Sequence, residues 1–127
     1  MAEGRAVRLR SEVERTRVDG AVIATVAFDG DLDLPSVEAF REAVSEGAVG
    51  GADGVVLDLA GLRFIDSSGI HALLKVWKEL EASGQRSILV VESGSNAERV
   101  LVITGLLKHF SSAPDRAAAV DAVAGEG

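Results

Sequence analysis

Residues Gly54–Gly84, GVVLDLAGLRFIDSSGIHALLKVWKELEASG, decide the fold. Val55, Val56 and Leu57 form a short apolar, β-branched run without proline, the composition a sheet interior prefers. From Ile70 the period changes. Ile70, Leu73, Leu74, Trp77 and Leu80 recur at three and four residues, which is one face of a helix. His71, Lys75, Lys78 and Glu79 fall mostly on other faces. Between the two periods lies Asp66-Ser67-Ser68-Gly69. Its first three residues are all good N-caps, and Gly84 is a good residue to end the helix. Which of the three is the cap stays open at this level. The turn places one or two serine hydroxyls at a helix N-terminus, where the dipole and the free N–H groups favour an anion. A phosphoryl group on such a serine would be a mechanism; a capping hydroxyl would be architecture.

Upstream, Val7 to Val18 alternates apolar and polar at Val7, Leu9, Ser11 and Val13, the pattern of a half-buried strand. Its many charges suit a sheet edge. Asp19-Gly20 is a two-residue hairpin signal, and Ala21 to Phe28 returns as an antiparallel neighbour. The acidic loop Asp29-Gly30-Asp31-Leu32-Asp33 leads into a helix from about Leu34 or Pro35, with Val37, Phe40 and Val44 as its buried stripe. Downstream, Arg86 to Val91 reads as a buried strand. Ser95-Asn96-Ala97-Glu98 fits a capping box, and Gly105 can end the helix that follows. Leu106 to Phe110 is a candidate last strand, and Ser112-Ala113-Pro114 begins an alanine-rich final helix. The order after the opening hairpin alternates strand and helix. This predicts a single α/β domain with a mixed sheet, mostly parallel in its later strands, and about four helices. The domain is expected over residues 7–124, between flexible ends at 1–6 and 125–127.

The chain has 127 residues, enough for one full core, with a net charge of −7 and no cysteine. The acidic balance argues against bulk attraction to nucleic acid or anionic lipid. The absence of cysteine excludes disulfides and thiolate metal sites. No run of membrane-spanning length and no signal-peptide pattern is found, so a cytoplasmic protein is the default. Arg5, Arg8, Arg10, Arg15 and Arg17 crowd the N-terminal segment beside Glu12 and Glu14, and read as a mixed solvated face. His71 and His109 form no metal-ligand spacing, so neither a metal nor a cofactor is expected.

The run Leu57–Leu74, LDLAGLRFIDSSGIHALL, resembles the signature of the STAS domain and, more narrowly, of bacterial anti-sigma-factor antagonists. Gly30-Asp31-Leu32-Asp33 resembles the Gly-Glu-Leu-Asp of that family, and Thr104-Gly105-Leu106 its Ser/Thr-Gly-Leu. The resemblance implies that Ser67, rather than its neighbour Ser68, is phosphorylated by a partner that is both anti-sigma factor and serine kinase. A phosphatase later removes the phosphate. The unphosphorylated antagonist would bind the kinase and free the sigma factor. The same resemblance points to Asp33 as a partner-binding residue and sets Asp31, which replaces the commoner glutamate, beside it. Asp66, Ser67, Ser68, Gly69 and His71 complete the expected partner-binding face, with His71 standing where a small residue is common.

Two other functions compete. An enzyme using Ser67 or Ser68 as nucleophile would draw its base from His71 or His109, but the G-x-S-x-G pattern is absent. A STAS subunit of a stressosome or of a lipid-transport complex, without the sigma-factor role, is the alternative within the same resemblance.

Overall fold

The structure, a computed structural model, describes residues 8–125. The expected flexible N-terminus and Val7 lie outside the described residues, as do Glu126 and Gly127.

Strand β1 (Leu9–Val18) and strand β2 (Ala21–Leu32) form the opening hairpin. Asp19 and Gly20 carry it with φ of 51° and 85°, the positive pair that matches the twist of the flanking strands. A 3-10 turn over Leu34–Ser36 precedes helix α1 (Val37–Ala48). The helix proper therefore begins after Pro35, not on it. Strand β3 (Gly54–Ile65) leads into helix α2 (Ser67–Ala82), and strand β4 (Arg86–Val90) into helix α3 (Asn96–Ile103). Strand β5 (Ser112–Ala113) and helix α4 (Arg116–Gly125) close the chain.

The sheet order is β1-β2-β3-β4-β5, antiparallel between β1 and β2 and parallel thereafter. Helices α1, α2 and α3 cover one face, burying Phe40, Leu73 and Leu101 on Val26, Val55, Leu57 and Leu59. Helix α4 covers part of the other, setting Ala119 and Val123 on Ile23, Val56, Ile88 and Val90. Strand β3 is buried on both faces over its first six residues, which is why these read as a mostly apolar run. Asp58 interrupts that run. It sits midway along β3, where Oδ2 accepts from Arg116 Nε at 3.0 Å and Nη2 at 2.8 Å, tying α4 to the sheet.

The end of the chain departs from the sequence reading. Leu106 to Phe110 is not a strand. Gly105 stops α3 at φ 74°, and a 3-10 turn follows over Leu107–His109. The apolar residues here plug the helix-covered face: Phe110 is buried with its ring edge-on to Trp77 at 5.0 Å between centroids. Only then does the backbone reach the sheet. Leu89 N–H donates to Ser111 O at 2.9 Å and Val91 N–H to Ala113 O at 3.0 Å. The last helix accordingly starts later than expected, with Asp115 Oδ1 accepting from Ala118 N–H at 2.8 Å.

Candidate functional site

Parallel strands β2 and β3 run past the end of β4, and Leu32 and Ile65 are their last register partners. The next residue on each strand is an aspartate, and each aspartate opens a helical segment. Asp66 N–H donates to Leu32 O at 3.2 Å. Two motifs far apart in sequence, Gly30–Asp33 and Asp66–Gly69, thus emerge side by side at the carboxyl edge of the sheet. Open α/β sheets carry their functional groups at that edge.

Asp66 is the cap of α2. Its backbone is extended, and Oδ1 accepts from Gly69 N–H at 2.9 Å. This closes the choice the sequence leaves open. Ser67 becomes the first helical residue, with an exposed side chain, while Ser68 is half-buried. Gly69 is buried. A Cβ there would stand 2.4 Å from Leu32 O and 2.8 Å from Leu32 Cγ, so the close approach is to the chain's own sheet. That contact seats the first turn of α2, and Ser67 with it, against the strand ends. His71 lies exposed one turn further along the helix.

Asp33 is buried, with 3% of its surface exposed, and its charge is fully used. Arg8 grips Oδ2 through Nε at 2.9 Å and, more closely, through Nη2. The Ser36 hydroxyl accepts Asp33 N–H at 2.9 Å and donates to Oδ1 at 2.9 Å. The bond from Arg8 holds the Asp33 carboxyl below its ordinary range, against burial, which pushes it up; Ser36 adds to the lowering. Arg8 is raised in turn by its bond to Asp33. Asp31, half-buried beside them, donates its N–H to Arg8 O at 2.7 Å.

Arg8 escaped the sequence reading, which placed it on a solvated face. A signal existed. Counting back from the Asp19-Gly20 turn pairs Leu9 with Gly30, which sets Arg8 next to Asp31 and within reach of Asp33. Arg15 is likewise not free. Its Nη2 donates to Glu46 O at 2.7 Å and Val49 O at 2.9 Å, closing the C-terminus of α1. Among the described residues, no cluster of His, Asp or Glu suits a metal ion, and no helix is long and apolar enough to cross a membrane.

The STAS domain family model matches residues 12–119, and the chain belongs to that family. It is 28% identical over 95 residues to the anti-sigma-F factor antagonist RsfB of Mycobacterium tuberculosis, covering 75% of this chain and 76% of the relative. The fold superposes with a TM-score of 0.76 on an anti-sigma factor antagonist from Mycobacterium paratuberculosis, at 24% identity, covering 91% of this chain and 94% of that one. The Bacillus cell fate determinant SpoIIAA in its phosphorylated form matches at 26% identity and TM-score 0.58, covering 88% of this chain and 99% of that one.

Proposed function

We propose that this chain is an anti-sigma-factor antagonist switched by phosphorylation of Ser67. Unphosphorylated, it binds an anti-sigma factor with serine kinase activity and so releases a sigma factor, regulating transcription from the cytoplasm. Phosphoryl transfer to Ser67 ends that binding, and a serine phosphatase restores it. The chain is substrate and binding protein, with no catalysis of its own.

One observation carries the reading: Asp66 caps α2, which leaves the Ser67 hydroxyl exposed at the first helical position and not needed to hold the fold. A phosphoserine adds about −1.5 to −2 charges and three acceptor oxygens. At a helix N-terminus the dipole tolerates that charge, so the domain stays folded while a surface fitted to a neutral hydroxyl loses its complementarity. Its likeness to the anti-sigma-F factor antagonist RsfB and to phosphorylated SpoIIAA supports the same role.

The partner face takes in Asp31, Asp66, Ser67, Ser68 and His71 on the surface around the turn. Asp33 and Gly69, both buried, serve it from beneath by holding the two loops in place. The test is affinity capture from lysate of the source cell with wild type and Ser67→Glu as paired baits. Wild type is expected to retain an ATP-binding anti-sigma factor that Ser67→Glu does not. Equal capture of that factor by both baits would remove the switch.

A further inference from the structure

Below Ser67 a groove of about 560 Å³ runs between α1 and α2. Its apolar lining comes from Val37 and Leu74, and from Leu34, which stands 70% exposed at the mouth. Its charged lining is cationic: Arg41 from α1, and Lys75 and Lys78 along α2, with His71 and Ser68 nearer the head. Among the described residues no acidic side chain lines it, in a chain that carries 20 acids against 13 Lys and Arg. Arg41 is partly engaged by Glu79 at 3.7 Å, on the side away from the groove's head. The lysines are exposed, and Ser68 closes the head of the groove directly beside Ser67.

Dimensions and charge together select an occupant. From Ser68 to Lys78 the helix rises about 15 Å, which admits about three turns of a second helix. An apolar floor between cationic walls fits an amphipathic segment whose apolar stripe is flanked by Asp and Glu. We infer that this groove docks an acidic amphipathic helix of the partner, and that a phosphate on Ser67 expels it by setting negative charge against the acidic end of that helix at the groove's head. The inference rests on the Ser67 switch for its regulation, while the docking of the acidic helix stands on the groove itself. The chain's overall −7 would oppose an acidic partner. At physiological salt, charges beyond about 8 Å are screened, so the local lysines dominate at contact.

The probe is a fluorescent helical peptide of about four turns, with leucines at every third and fourth position and glutamates on the flanks. A second peptide carries lysine for each glutamate. Anisotropy titrations use the full chain. The acidic peptide is expected to bind wild type, to weaken as salt rises, and to bind Lys75→Glu/Lys78→Glu about tenfold more weakly or worse. Leu34→Ser and Ser67→Glu should also weaken it, and the lysine peptide should not bind wild type. All four positions are at the surface, and thermal melts of each variant verify the fold. Absence of acidic-peptide binding, equal binding of both peptides, or an unchanged affinity in the double lysine variant overturns the inference. So does tighter binding of a short RNA of matching charge.

The two readings fail separately. If the lysine variant loses the peptide while Ser67→Glu still captures the anti-sigma factor, the groove stands and the switch falls. If the lysine variant keeps both peptide and factor while Ser67→Glu loses the factor, the groove falls and the switch stands.

Discussion

Helices α2 and α3 begin in the same way and use serine in opposite ways. At α3 the serine is the cap: Ser95 Oγ accepts from Glu98 N–H at 3.1 Å, and Glu98 reaches back to Gly94 N–H at 2.8 Å. At α2 the cap is Asp66, and the serines come after it. The hydroxyl of Ser95 is consumed by architecture, whereas that of Ser67 is presented to solvent beside the same kind of positive helix end. A serine near a helix N-terminus is thus available for chemistry when the residue before it has taken over the capping. The third helical position differs too. It is Glu98 in α3, and in α2 it is Gly69, pressed against the strand ends.

The largest effect on stability should come from that glycine. Gly69→Ala forces a Cβ into Leu32 O, which cannot rotate away, and should cost about 1–3 kcal/mol in urea unfolding. Next, Asp66→Ala and Ser95→Ala each remove a true cap and should each cost about 1 kcal/mol. A smaller effect lies at the neighbouring loop. Because Asp33 has a folded pKa below its unfolded value, its contribution is fully present above about pH 4 and is lost as pH falls through the lowered pKa. Arg8→Gln should flatten that acid loss in melts taken from about pH 5 downward, modestly, since the Arg8 side chain is half-exposed. The smallest effect is the most telling. Ser67→Ala should change stability by less than about 0.5 kcal/mol. A cost equal to that of Ser95→Ala would make Ser67 a structural serine and erase the contrast.

Most of the fold was legible because it follows local periods. The switch from the apolar run at Val55–Leu57 to the helical spacing from Ile70, and the Asp19-Gly20 turn, need no tertiary knowledge. The sheet order, with Leu32 opposite Ile65, does need it, and that pairing is what brings the two acidic motifs together. Leu106–Phe110 misled because burial under a helix layer selects the same apolar residues as a strand does. Strand β5, only Ser112–Ala113, is too short to show a period. At the site, Asp66, Ser67 and Ser68 are equivalent as caps until the backbone shows Asp66 extended. Arg8 and Arg116 were hidden for a further reason: their partners Asp33 and Asp58 lie 25 and 58 residues away, and a charge next to other charges looks solvated.

The most direct measurement is phosphosite mapping by tandem mass spectrometry on the intact chain, purified from its own cells together with its proposed anti-sigma-factor partner and incubated with ATP. The expected result is one phosphate, on Ser67, with loss of the complex as it accumulates. A phosphate on Ser68, or a complex that persists with Ser67 fully phosphorylated, would contradict the contrast between the two helix ends and the switch built on it.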